Sequence, residues 1–186
     1  MGGATGVAAG QPSGGRVAVY VAAGSNIEPQ RNLREALALL RAQFPDLRVS
    51  TAYANAAAGF AGEDFINMVV GFTTALPLAT LLERLHAVET ACGRPRAAPR
   101  WAPRSMDLDV LLYGDAVGAF PGAELPRRDL PRRAYMLGPL AELAPEVVHP
   151  TLGVTIAQLW RSFDQAAHPL RRISLDGPWP DAARGA

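Results

Sequence analysis

The chain has 186 residues, enough to bury one sizeable core and too few for two ordinary domains. Its 49% hydrophobic and 19% charged content is that of a globular protein, and a net charge of +1 argues against a general affinity for nucleic acid, so any basic patch must be local. All 18 cationic side chains other than histidine are arginine, which excludes a P-loop lysine, a protein-kinase strand lysine and a Schiff-base lysine for pyridoxal phosphate.

Residues 1–15 are mostly Gly, Ala, Ser and Pro without a basic or long apolar segment, and they read as a disordered tail rather than a signal peptide. No stretch reaches the roughly 18 apolar residues of a membrane span, and Cys92 has no second cysteine to pair with, so the expectation is a cytoplasmic protein with no membrane partner. A single domain is expected over residues 16–175, followed by a loose tail at 176–186.

The apolar run at residues 17–23 is closed by Gly24-Ser25-Asn26, a buried strand followed by a turn. Pro29 suits the first turn of a helix, and Leu33, Ala36, Leu37 and Leu40 recur at helical spacing up to Phe44-Pro45. Residues 47–53 predict a second strand and 65–73 a third, with an Ala/Gly-rich loop at 54–64 between them. Pro77 opens a second helix whose apolar face is Leu78, Leu81, Leu82, Leu85 and Val88, and Gly93 is its natural stop. A fourth strand follows at 107–113, then a Gly/Pro-rich connection and a third helix from about 132 to 143. Strand, helix, strand, strand, helix, strand is the split arrangement of an α+β, ferredoxin-like β-α-β-β-α-β sandwich, here with additional C-terminal helices.

The chemistry concentrates in the fourth strand. Alternation places Asp107 and Asp109 on one face, with Leu108, Val110 and Leu112 on the other. Their Cα atoms should lie about 6 to 7 Å apart, and such a pair of hard oxygen ligands suits Mg²⁺ shared with substrate phosphates. An exposed strand with two solvated acids would give the same pattern. The context favours the metal, because Gly93-Arg94-Pro95-Arg96-Ala97-Ala98-Pro99-Arg100-Trp101-Ala102-Pro103-Arg104 runs into the pair with four arginines and no acid. Arg127, Arg128, Arg132 and Arg133 form a second basic cluster beyond it. His86 and Glu89, three apart on the second helix, share a face and read either as nucleotide contacts or as a solvated pair. Asn67, polar within an apolar strand, needs a partner if it is buried.

Together these residues resemble the 6-hydroxymethyl-7,8-dihydropterin pyrophosphokinase family of folate biosynthesis. The likeness rests on Gly24-Ser25-Asn26, Phe65-Ile66-Asn67, Glu89 with Gly93-Arg94-x-Arg96, and above all Arg100-Trp101-x-Pro103-Arg104-Ser105-Met106-Asp107-Leu108-Asp109-Val110-Leu111-Leu112-Tyr113-Gly114. It continues from Arg133-Ala134-Tyr135-Met136 to His149-Pro150, covering about residues 17–153. The resemblance implies transfer of the β,γ-pyrophosphoryl group of ATP to the pterin hydroxymethyl oxygen with release of AMP. By position, Asp107 and Asp109 would hold two Mg²⁺ ions, and Arg94 and Arg104 would stabilise the moving group. His86, Glu89, Arg96, Trp101, Arg104, Val110, Arg127 and Arg133 would serve ATP. Phe65 and Tyr135 would sandwich the pterin, Asn55, Ala58 and Asn67 would border it, and Trp101 would close over it.

The chain departs from the family in three places. Asn55-Ala56-Ala57 stands where many members carry Thr-Pro-Pro, His86 where a glutamine is frequent, and Arg127 where the Leu-Pro-His segment has histidine. The implied partners are ATP, the reduced pterin and neighbouring folate enzymes. The alternatives are a catalytically silent pterin- or nucleotide-binding relative and a ferredoxin-like binding module. RNA recognition is disfavoured because no strand shows the exposed aromatic signature.

Overall fold

The computed structural model describes residues 15–55, 65–93 and 105–175. Strand β1 (Val17–Ser25) leads into helix α1 (Pro29–Gln43), then the short strands β2 (Arg48–Val49) and β3 (Ala52–Asn55). Strand β4 (Phe65–Thr74), helix α2 (Leu78–Ala91) and strand β5 (Asp107–Tyr113) complete the second half. A hairpin of β6 (Gly118–Phe120) and β7 (Ala123–Leu125), a 3₁₀ turn (Leu130–Arg132), helices α3 (Ala134–Leu143) and α4 (Ile156–Ser162), and strand β8 (Arg171–Ile173) follow.

The main sheet runs β5-β1-β4-β3-β8, with β2 also on β4, and every pairing is antiparallel. Each β-α-β connection skips one strand, which is the ferredoxin-like order expected from the sequence. α1 is held at its start by Pro29 in the first turn and by the Asn32 amide donating to the Ile27 carbonyl at 2.6 Å. α2 stops at Gly93, whose φ of +84° is a left-handed conformation that glycine adopts without strain.

Two cores result. On one face Val19, Val21, Ala23, Ile66, Met68, Val70, Leu108 and Val110 meet Leu33, Leu37 and Leu40 of α1 and Leu81, Leu85 and Val88 of α2. On the other, Tyr20, Val69, Leu111 and Leu112 meet Met136, Leu137 and Leu140 of α3 and Ile156 of α4.

The expected second strand at 47–53 is broken in two. Ser50 both donates its backbone N–H to the Val69 carbonyl and accepts the Val69 N–H on its hydroxyl, each at 2.9 Å, so a side chain replaces one rung of the ladder. The third helix begins at Ala134 rather than near 132, after the 3₁₀ turn. The C-terminal part contributes the edge strand β8 as well as a helix. Glu142 of α3 clips this edge: it accepts from the Tyr53 hydroxyl and from the Thr51 N–H at 3.0 Å, and Arg172 lies 3.6 Å from it. Of the expected tails at 1–15 and 176–186, residues 1–14 and 176–186 lie outside the described residues.

Candidate active site

Asp107 and Asp109 share a face of β5 and are each partly exposed, while Leu108 and Val110 are buried against α1 and α2. The simple alternation that puts Leu112 with Leu108 does not hold. The β1–β5 register shifts between Tyr20 and Val21, leaving Leu111 as the extra residue of a bulge. Leu111 and Leu112 consequently both pack towards α3, and Tyr113 returns to the other core. Two adjacent leucines suit either face, so the apolar pattern carries no mark of the bulge.

The register aligns the polar residues in a row. Gly24 of β1 sits opposite Asp107 on one side and Asn67 of β4 on the other, and Asn67 sits opposite Tyr53 of β3. One pleat further along, Ala22 separates Asp109 from Val69. A Cβ on Gly24 would stand 2.8 Å from Asn67 Oδ1, closer than two such atoms can approach. The missing side chain therefore makes the space in which the Asn67 amide lies, over the residue that separates it from Asp107.

The opposite face of β5 supplies support. Glu89, 4% exposed, accepts the Leu108 N–H on Oε1 at 2.8 Å, so a carboxylate of α2 grips the peptide between the two aspartates. The solvated His86/Glu89 pair is overturned by this burial. Glu89 follows Leu81 and Leu85 at intervals of four on the inward face, whereas His86 is exposed. That interval was the available signal for a buried acid. Ser25, which sequence reasoning did not place in the site, is fully buried and donates to the Ser105 carbonyl at 2.6 Å, pinning the entry to β5. Its only mark in the sequence is the polar triplet that closes the first apolar run.

The α3 side brings the remaining groups. Arg127 Nη1 lies 2.7 Å from Asp109 Oδ1, and the Arg127 backbone N–H donates to the Leu111 carbonyl at 2.9 Å, which fixes the arginine beside the bulge. Tyr135, half-buried on α3, has its phenol pushed up chiefly by burial, with Asp129 and Asp109 adding to the effect and Arg133 and Arg127 opposing it, so it stays a neutral hydroxyl. Arg133 is exposed at the start of α3. Phe65, half-buried, begins β4 on the same face as Asn67 and pairs with Asn55 in the ladder. Val110 places its side chain in the α1/α2 core, so only its backbone remains for a ligand.

Arg94, Arg96, Trp101, Arg104 and Ala58 lie outside the described residues. Among the described residues no group of three or more His, Cys, Asp or Glu side chains gathers as a metal cage. Two half-exposed carboxylates are a donor set for a hard cation that takes its other ligands from water and phosphate oxygens.

Compared with known proteins, residues 20–145 match the family model "7,8-dihydro-6-hydroxymethylpterin-pyrophosphokinase (HPPK)". A 2-amino-4-hydroxy-6-hydroxymethyldihydropteridine pyrophosphokinase of Pseudomonas aeruginosa is 39% identical over 69% of this chain and 82% of its own. The protein of that name from Synechocystis sp. is 37% identical over 79% and 76%, and that from Haemophilus influenzae 31% identical over 85% and 99%. Among solved structures, a Plasmodium falciparum HPPK-DHPS with pteroate aligns at a TM-score of 0.53 and 12% identity, a likeness of fold. It covers 81% of this chain, which spans 44% of that longer one.

Proposed function

Since the chain belongs to the 7,8-dihydro-6-hydroxymethylpterin-pyrophosphokinase family, whose reaction moves the pyrophosphoryl group of ATP onto hydroxymethyldihydropterin in folate biosynthesis, we propose that the polar row on the α3 face of the sheet is where it does so. The observation that carries this reading is the alignment of Asn67, Gly24 and Asp107 across three strands, with Asp109 one pleat away.

In this reading Asp107 and Asp109 hold Mg²⁺, two ions by our proposal, which neutralise polyphosphate charge and make the substrate hydroxyl more acidic. The carboxylates suit the role because they are partly exposed and share one face. Asn67 presents its amide to the hydrogen-bonding edge of the pterin, and Gly24 leaves the room for it. Phe65 and Tyr135 stack the ring. Arg133, with Arg94, Arg96 and Arg104, balances the phosphates, while His86 and the Val110 backbone border the nucleotide. Ala58, the Asn55 segment and Trp101 border the pterin. Glu89 acts from behind through the Leu108 N–H, holding the carboxylate-bearing strand in place.

Transfer forms a bond from the hydroxymethyl oxygen to the β-phosphorus and breaks the bond from that phosphorus to the α,β-bridging oxygen. AMP leaves with those electrons, and the hydroxyl proton passes to Asp107. The test is AMP release from ATP and the reduced pterin by the purified chain, alone and as Asp107→Asn. We expect turnover in the wild type and a loss of at least about a hundredfold in the variant. An inactive wild type that still binds the pterin would mark a catalytically silent relative. Turnover unchanged by Asp107→Asn would remove Asp107 from the site.

A further inference from the structure

The Arg127 guanidinium is on a carboxylate oxygen of Asp109 at 2.7 Å. We propose that Arg127 acts as a resident counter-ion for Asp109 which a divalent cation must displace, and which then turns to the polyphosphate, so that metal and nucleotide bind cooperatively. The inference rests on the metal reading given above.

Asp107 and Asp109 project from one face of a strand, with Cα atoms about 6 to 7 Å apart, and repel one another there. The Arg127 guanidinium relieves that repulsion at Asp109. The pair is half-buried, its side chains 37% and 27% exposed, so the attraction is less screened than at a free surface, yet the arginine tip still reaches solvent. Its backbone cannot follow it, because the Arg127 N–H is held by the Leu111 carbonyl at 2.9 Å. Exchange of partners is therefore a rotation of the side chain about a fixed stem.

Two opposed consequences follow for a single side chain. A bare cation at Asp109 has to break the ion pair, so Arg127 weakens binding of metal alone. When metal arrives with polyphosphate, the released guanidinium gains phosphate oxygens of opposite charge, so Arg127 strengthens binding of the metal–nucleotide complex. The difference is a coupling free energy, and by linkage each ligand must raise the affinity of the other by the same factor. A residue that merely supported the fold would, on removal, weaken both kinds of binding.

The test measures Mn²⁺ binding by paramagnetic resonance, and binding of a non-hydrolysable ATP analogue with and without Mn²⁺. The proteins are wild type, Arg127→Ala and Arg127→Met, each with and without Asp109→Asn; methionine preserves the stem if alanine loosens the fold. For both Arg127 variants we expect Mn²⁺ alone to bind about three- to tenfold more tightly than in wild type, from the ion pair no longer broken. We also expect the analogue to bind more weakly and the factor by which Mn²⁺ aids it to shrink. Mn²⁺ affinity that Asp109→Asn abolishes but neither Arg127 variant raises would overturn the proposal and leave the metal site standing. An unchanged coupling factor would do the same. Mn²⁺ affinity indifferent to Asp109→Asn in wild type would overturn the metal assignment, and this inference with it.

Discussion

The two faces of the sheet are made from the same strands, yet they end differently. Towards α1 and α2 the inward pleats are apolar from Val19 to Ala23, from Phe72 to Ile66 and from Val110 to Leu108, beneath two helices of 15 and 14 residues. Towards α3 the cover is a helix of 10 residues, and beneath it lie Tyr20, Val69, Leu111 and Leu112. Beyond that cover the same pleats carry Gly24, Asn67, Asp107 and Asp109. The polar row occupies one end of each strand. A site at the ends of the strands leaves the sheet intact, and its partly exposed carboxylates keep enough solvent that their charge is not prohibitively costly.

The comparison predicts that the closed face governs stability and the open face governs activity. Leu40, fully buried between α1 and the sheet, makes the larger test. Leu40→Ala should cost about 2–5 kcal/mol in urea unfolding, from lost burial and the cavity left behind. Pterin KM and turnover per folded molecule should stay within about twofold, because the cavity opens on the far side of the sheet. A kinetic defect as large as the stability defect would show that the two faces are not independent.

The closed face was the more legible in the sequence, for a physical reason. Helical spacing marked Leu33, Ala36, Leu37 and Leu40, and a residue that must be apolar to be buried announces itself. The carboxylate pair was legible because strand alternation fixes its common face, and this survives because the bulge begins only after Asp109. What stayed hidden depends on partners distant in sequence. The 2.7 Å contact of Arg127 with Asp109 and the grip of Glu89 on Leu108 require the folded register, as does the fit of Asn67 over Gly24. β6, β7 and β8 are three residues each, too short to express a period of two. Cys92 needed the fold as well: burial, with Glu35 and Glu89 adding to it, pushes its thiol up to about 11, so it is no nucleophile near neutral pH.

A smaller effect, on the open face alone, should come from Gly24→Ala. The new methyl group meets Asn67 Oδ1 at 2.8 Å, and the amide can rotate away because it is the end of a side chain. Stability should change by less than about 1 kcal/mol, since alanine also costs less than glycine to order in a strand. Pterin KM should rise about tenfold, roughly the worth of one misplaced hydrogen bond, while KM for ATP moves little. Equal changes in the two KM values would mean that Asn67 does not read the pterin. A fall in stability beyond 2–3 kcal/mol would mean that the row is packed as tightly as the closed face.

The smallest effect concerns acid and the layer that carries α3. His149 lies in the segment between α3 and α4, where the neighbouring Val148 bridges to Thr155 and the His149 N–H donates to the Val154 carbonyl at 2.9 Å. It is 3% exposed, its Nδ1 is 3.2 Å from the Thr151 hydroxyl, and its Nε2 is buried without a hydrogen-bond partner among the described residues. Burial pushes its pKa below the ordinary 6.5, because a proton there would place an uncompensated charge in the interior. Above about 6.5 neither the folded nor the unfolded chain holds that proton, and the histidine adds no pH dependence. As pH falls below this value the unfolded chain takes up the proton first, so stability is lost down to the lower folded pKa, by at most about 1.4 kcal/mol per pH unit for one group. Urea unfolding at pH 7.5 and 5.5 should therefore show a decline in the wild type. His149→Asn, which keeps a polar group near Thr151 but does not titrate, should decline less over the same interval. Equal declines would place the acid sensitivity elsewhere, and a variant that gains sensitivity would mean that the imidazole is charged in the folded protein.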